Sequence, residues 1–310
     1  MAGPASRGPL PTKVWPPRLT IMTPMIGALD WLAVGDVAEE RSGTDSAGIL
    51  GGGAARLAAH AAALKARTAL VGKVGSDDSG RLVRDSLERL RVDLRWLHQA
   101  SGLRTTIWHQ PDGDPQLRRL ERGADLALRL DELPQLSVAA ALTVVAGYSL
   151  SVEPARSAAL GALTGATARG GRSALLLEAD LLWWTNARMT RRVLEPALAA
   201  ADSVALRAVD ARVMFGAADD REAVRLLVEM GPRLVYLAQA DGSVLLSEGG
   251  RIHSCPARAG EESPRDRYAG PAAFWVALAH RIAPRKAAAD SVRYAQSVRR
   301  AGAPRQPAHS

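Results

Sequence analysis

Short apolar runs alternate with helix-spaced segments across residues 29–300, and no other feature of this chain limits its fold as strongly. Residues 29–34 are apolar and stop at Gly35-Asp36, as a buried strand reaching a turn does. The triplet Gly51-Gly52-Gly53 then opens an Ala-rich helix over 54–64. Strands are predicted at 68–71, 142–146, 173–177 and 204–206, and helices at 80–90, 153–168, 189–200 and 219–230. Two hairpins are predicted, 105–109 with 116–120 across Asp112-Gly113, and 234–238 with 243–247 across Asp241-Gly242. Helices over 272–282 and 287–300 close the pattern. Such alternation predicts an α/β fold, with a mainly parallel sheet covered by helices on both faces. Ligands of such sheets gather beyond the carboxyl ends of the strands. Gly35, the glycine triplet, Gly75 and the 266–272 loop fall there.

Composition narrows the class. At 310 residues and 47% apolar, the chain can bury a large core. Residues 1–28 hold six prolines and no apolar run, and read as a disordered extension rather than a leader. Residues 304–310 read as a disordered tail, which leaves one domain over 29–303. The single cysteine, Cys255, rules out an internal disulfide and fits a reducing cytoplasm. No apolar run reaches the ~18 residues of a membrane span, so no membrane is expected. The net charge of +8 comes from 36 Arg and 4 Lys scattered among acids. Without a basic run or interleaved aromatics, no nucleic-acid partner is expected.

Several segments could carry chemistry. Residues 51–58 read G-G-G-A-A-R-L-A, which by itself is a Gly-rich turn before a helix. Glu40 by itself is a loop acid, and Arg207 with Asp210 an ion pair on a helix's first turn. Asp241-Gly242 serves the hairpin, and Trp183 with Trp184 reads as packing. Residues 266–274 read D-R-Y-A-G-P-A-A-F at a helix start, with Pro271 suited to the first helical position. The six histidines and Cys255 form no metal spacing. Neither a G-x-x-x-x-G-K-[ST] loop nor a G-x-S-x-G elbow is present.

In order, these segments resemble the signatures of the ribokinase-like (PfkB) carbohydrate kinases. Residues 51–58 resemble G-G-x-G-x-N-x-A, and residues 75–87 follow G-x-D-x-x-G-x-x-x-x-x-x-L. Residues 207–216 resemble N-x-x-E-A-x-x-L-x-G, residues 235–242 V-x-T-L-G-x-x-G, and residues 266–274 D-T-x-G-A-G-D-A-F. The resemblance implies a three-layer α/β/α domain with a small β lid from about 38–50 and 105–120. It implies sugar contacts at Glu40, Gly52, Gly53 and Arg56, and nucleotide contacts at Asp210, Asp241, Gly242, Asp266 and Gly270. It implies ATP and magnesium as cofactors.

The departures matter as much. The family's anion hole falls on Ala269, Gly270 and Pro271, and its general base on Ala272, so no catalytic residue is retained. Pro271 has no N–H to offer a phosphate, and Ala272 no carboxylate to take a proton. Asp266 lies six residues before Ala272 and does not replace it. Arg56 stands for a neutral Asn, and selects an anionic ligand such as a sugar phosphate or closes the pocket by pairing with Glu40. Arg207 and Asp210 replace Asn and Glu, and Arg299 and Arg300 fall where small residues usually line the nucleotide pocket. ATP and magnesium binding is therefore expected to be weak or lost. The expectation is a PfkB homologue, inactive or severely impaired, that keeps a sugar- or nucleotide-binding or regulatory role. The alternatives are an active kinase of low rate and a structural partner subunit that binds neither ligand. A homodimer, or a heterodimer with an intact paralogue, is expected through the lid. Ile107, Trp108 and Leu117 supply its apolar surface, with Trp108 at the interface.

Overall fold

The structure is a computed structural model that describes residues 29–42, 48–110, 119–134, 139–168, 170–178, 187–257 and 266–301. In chain order the strands are β1 (Leu29–Val34), β2 (Ala38–Ser42), β3 (Ile49–Gly51), β4 (Thr68–Gly75), β5 (Asp93–Ala100), β6 (Thr106–Gln110) and β7 (Arg119–Glu121). Then follow β8 (Ala140–Ala146), β9 (Arg172–Leu176), β10 (Ser203–Arg207), β11 (Leu234–Ala238), β12 (Val244–Glu248) and β13 (Arg251–Cys255). The helices are α1 (Gly53–Ala63), α2 (Asp78–Arg89), α3 (Ala155–Ala168), α4 (Ala187–Ala200), α5 (Ala208–Phe215), α6 (Asp220–Glu229), α7 (Ala269–Ala279) and α8 (Pro284–Ala301).

Nine strands form one sheet in the order β13-β12-β11-β10-β9-β8-β1-β4-β5. From β11 to β5 every pairing is parallel, while β12 and β13 are antiparallel. This is the ribokinase-like α/β architecture. Successive side chains of a strand point to opposite faces, and β1 shows the consequence. Leu32 and Val34 join the core on one face with α3, α4 and α6, and Trp31 and Ala33 join the core on the other with α1, α7 and α8. Trp31 and Trp275 of α7 meet there with ring centroids 6.2 Å apart, both fully buried. Strands covered on both faces read as continuous apolar runs, which is why β1, β8, β9 and β11 stand out in the sequence.

The edge strands β5 and β13 were not expected. Both are rich in charged and polar residues, D-L-R-W-L-H-Q-A and R-I-H-S-C, because each pairs on one side only. The helix starts also shift. α7 begins at Ala269, three residues before the position the sequence suggests, so Pro271 is its third residue and not its first. The helix loses nothing by this, since the third N–H of a helix has no partner within it either. Asp266 sets the earlier start: its Oδ1 accepts the Tyr268 N–H at 3.0 Å, a turn that leads into the helix.

A second sheet of four strands, in the order β3-β2-β6-β7, packs beside the first. It pairs β2 with β6 in parallel and β6 with β7 antiparallel. Ile107 and Trp108 of β6 are 8% and 7% exposed within this one chain, Trp108 lying edge-on to Tyr148 at 6.2 Å. The main domain thus already covers the apolar face that the sequence assigned to a subunit interface. Leu117 lies outside the described residues.

Candidate functional site

A cleft of about 820 Å³ opens at the carboxyl ends of the parallel strands. Glu40 of β2 and Arg56 of α1 form one wall, Ala238 to Gly242 another, and the first turn of α7 the floor between them. Val292 and Ala295 of α8 supply an apolar patch beside Gly242 and Val244. The volume lies within the ~300–1,000 Å³ of small-ligand sites.

Arg56 dominates one half. Its guanidinium spans two carboxylates, donating to Glu40 Oε2 at 3.0 Å and to Asp266 Oδ2 at 2.8 Å, and its charge lies 5.0 Å from the centre of the Tyr268 ring. Asp266 Oδ2 also bonds His60 Nε2 at 3.0 Å, so His60 carries its proton on that nitrogen. Burial works to raise the Asp266 pKa. The hydrogen bond from His60 and the charge of Arg56 outweigh it and hold the carboxyl well below the usual range. Asp266 is thus an ion-paired anion, poorly suited to take a proton.

Beneath this wall the glycines of α1 meet a buried acid. Gly52 has φ 86, and a Cβ there would sit 2.6 Å from the Asp36 carbonyl oxygen, so only glycine fits. Asp36 caps α1 by accepting the Gly53 N–H at 2.6 Å and the Ala54 N–H at 3.2 Å. Burial, and then the charge of Glu178, push its pKa up to about 6. Asp125 is likewise buried, accepting from the Thr106 hydroxyl and from the Leu126 N–H at 3.0 Å, and burial pushes it up to about 7. Sequence reasoning missed Asp36, Asp125 and Glu178 as a group. Glu178 follows β9 by two residues at its carboxyl end, where ligands of parallel sheets gather. That position was the available signal. Its Oε1 accepts from Arg267 at 2.9 Å and from the Tyr268 hydroxyl at 3.2 Å.

In the other half, Asp210 is 3% exposed and both its oxygens accept from Arg207 at 2.7 Å. Arg212 meets Asp220 at 3.1 Å, and Asp241 accepts the Ser243 N–H at 2.9 Å. Each arginine of the cleft, Arg56, Arg207, Arg212 and Arg267, therefore lies within 3.1 Å of a carboxylate. Glu40, Arg56, Asp241, Gly242, Asp266 and Gly270 all line the one cleft. Gly52 and Gly53 lie behind it, and Asp210 faces a side recess shared with Glu178, Arg267 and Pro271. The side chains of Arg299 and Arg300 lie outside the described residues.

On the first turn of α7, Ala269 and Gly270 keep their amide N–H groups and Pro271 has none. A Cβ at Gly270 would lie 2.7 Å from the Tyr236 hydroxyl, so packing fixes glycine there. Ala272 is fully buried, and its N–H is spent on the Tyr268 carbonyl at 3.0 Å. No side chain on this turn carries a charge or a proton acceptor.

Residues 29–298 match the pfkB family of carbohydrate kinases, and the chain belongs to that family. A fructokinase of Klebsiella pneumoniae is 28% identical over 215 residues, covering 67% of this chain and 69% of the relative. A 5-dehydro-2-deoxygluconokinase of Shouchella clausii is 30% identical over 148 residues, 46% of this chain and 45% of the relative. Among solved structures, fructokinase from Vibrio cholerae O395 with fructose, ADP and calcium bound superposes with a TM-score of 0.74 at 21% identity, over 86% of this chain and 90% of that one. Aminoimidazole riboside kinase from Salmonella enterica gives 0.75 at 18% identity, also over 86% and 90%.

Proposed function

We propose that this member of the pfkB carbohydrate kinase family binds ligands in its cleft but transfers phosphate poorly or not at all, and acts as a binding or regulatory protein. The observation that carries this reading is the first turn of α7, which offers neither a carboxylate nor an amide at Pro271 and Ala272. Loss of a general base lowers a rate by about 10²–10⁴. Loss of one donor to a developing anion costs about 10²–10³. Acting independently, the two losses lower turnover by about 10⁴–10⁷.

The ligands follow from the walls. The apolar patch of Val292 and Ala295 beside Gly242 suits a nucleoside. A magnesium ion fits poorly, because both oxygens of Asp210 are taken by Arg207. ATP binding, if retained, is therefore weak. On the sugar side, Arg56 holds Glu40 and Asp266 together across the place a neutral sugar would need. An anionic sugar, such as a sugar phosphate, could draw the guanidinium away. Calorimetric titration with ATP, fructose and fructose 6-phosphate tests this. Measurable affinity for the phosphate ester, and at least tenfold less for fructose, is the expected result. Tight fructose binding would overturn it.

A second reading, an active sugar kinase of low rate, rests on the kinship with fructokinases and on Glu178, a carboxylate that shares a recess with Pro271 and that would have to leave its pair with Arg267 to act as a base. Glu178→Gln separates the two readings. It abolishes turnover if Glu178 serves as the base, and changes nothing if there is no turnover to abolish.

A further inference from the structure

One aromatic ring joins the two halves of the cleft. Tyr268, just before α7, is 6% exposed, and two guanidinium groups lie against its ring, Arg56 at 5.0 Å from the ring centre and Arg267 at 5.3 Å. Both distances fall within the ~6 Å over which a cation is drawn to an aromatic face. The two cations come from distant segments, Arg56 from α1 and Arg267 from the residues that lead into α7. Two like charges gathered at one ring repel unless anions offset them. Arg56 pairs with Glu40 and Asp266, and Arg267 with Glu178, so cations and anions meet around Tyr268.

Tyr268 itself is held at several points. Its N–H donates to Asp266 Oδ1 at 3.0 Å, and its carbonyl accepts the Ala272 N–H at 3.0 Å. Its hydroxyl donates to Glu178 Oε1 at 3.2 Å, the oxygen that also accepts from Arg267 at 2.9 Å. Burial, and then the charge of Glu178, raise the phenol pKa, so the hydroxyl stays a neutral donor. The arginine side chains are 23% and 25% exposed, and both line the cleft. They are the movable parts around a fixed centre. They also bridge the two sheets, since Glu40 lies on β2 of the small sheet and Tyr268 precedes α7 of the main domain. An anion in the cleft competes with Glu40 and Asp266 for Arg56. When Arg56 follows the anion, the ring loses one of its cations, and the small sheet loses this tie to the start of α7.

We propose that Tyr268 is a positioning residue, the pivot of a latch that closes the empty cleft on itself. Its ring keeps Arg56 on Glu40 and Asp266, and Arg267 on Glu178, until an anionic ligand draws Arg56 away. The class of ligand rests on the function proposed for the cleft; the latch itself does not.

The first arm of the test uses the whole protein without ligand. Arg56→Gln and Arg267→Gln should each lower the melting temperature, and their shifts should not add in the double variant, because both act on one ring. The shifts should stay non-additive in Tyr268→Phe, which keeps the ring, and become additive in Tyr268→Leu. The second arm is calorimetric titration with fructose 6-phosphate. Tyr268→Leu should bind it at least about fivefold more tightly than the wild type, and Tyr268→Phe about as tightly as the wild type. Damage to the fold alone does not produce such a gain. Glu40→Gln leaves Tyr268 intact and covers the case in which Tyr268→Leu does not fold. It should also tighten binding, whereas Asp220→Asn, which removes the same charge from the pair with Arg212, should not. Additive shifts in the wild-type background would overturn the latch. So would a wild type that binds fructose 6-phosphate while neither Tyr268→Leu nor Glu40→Gln binds it more tightly. Non-additive shifts with no fructose 6-phosphate bound by any variant would uphold the latch and overturn the ligand proposed for the cleft.

Discussion

Arg56 ties together more of the site than any other side chain. It bridges Glu40 and Asp266 while only 23% of it is exposed, so its removal leaves two carboxylates near each other without their cation. Breaking a partly buried pair from one side costs about 1–3 kcal/mol, so Arg56→Asn should lose that much in urea unfolding. A loss below about 0.5 kcal/mol, the range of an ordinary surface change, would mean the pairs contribute little. The departures at Pro271 and Ala272 can be tested by reversal. Pro271→Gly with Ala272→Asp should bring ATP-dependent phosphorylation of fructose 6-phosphate to at least about 100-fold above background, with neither single change sufficient. A folded double variant without activity would show that the rest of the cleft has lost the chemistry too. Buried acids add a pH dependence. Asp36 and Asp125 titrate in the folded chain near 6 and 7, above their ordinary value of 3.8, so the folded state holds more protons than the unfolded one in between. Stability should therefore fall as pH rises from about 4 to about 7. Asp266 acts in the opposite sense, since its depressed pKa favours folding above the ordinary carboxylate range and that benefit is lost in acid. Urea unfolding at pH 5 and pH 8 should show the first effect, and Asp125→Asn should flatten it. An unchanged slope in that variant would contradict the assignment. At this scale the sequence showed Arg56, Asp266, Pro271 and Ala272, because each sits in a phased motif. Glu178, Asp36 and Asp125 come from three distant segments, and only the fold brings them together.

Among the elements, α1 and α7 place the cleft, and each begins with a backbone that tolerates little change. Gly52 must approach the Asp36 carbonyl at φ 86, so Gly52→Ala combines a clash with a strained conformation. A drop of several degrees in melting temperature is expected from the about 1–3 kcal/mol such strain costs. A melting temperature within a degree of wild type would mean the loop relaxes. The small sheet gives a second case. Trp108 is 7% exposed and packed on Tyr148 within its own chain. Trp108→Ala should destabilise the folded protein by about 3–5 kcal/mol. A variant that kept its stability but changed its oligomeric state would restore the interface that the sequence suggested. Central strands were legible because burial on both faces makes them apolar. The edge strands β5 and β13 were not, since one solvated side removes the pattern, and helix starts slipped because the Asp266 turn opens α7 before its apolar run.

Taken whole, the molecule joins a ribokinase-like scaffold to a cleft whose arginines are paired with carboxylates. The order of motifs along 266–274 and the earlier segments sufficed to read the family, since each motif marks a place where backbone geometry is demanding. Two arginine pairings were legible, Arg56 with Glu40 and Arg207 with Asp210, whereas those of Arg56 with Asp266, Arg212 with Asp220 and Arg267 with Glu178 were not, because they depend on which loops meet. The absence of phosphate transfer proposed for this scaffold is measured as the initial rate of ADP release from ATP and magnesium, with fructose and with fructose 6-phosphate as acceptor. The expected result is a rate equal to the control without protein. Turnover near ~1 s⁻¹, within the ordinary enzyme range, and abolished by Glu178→Gln would contradict the account and establish the chain as a working sugar kinase.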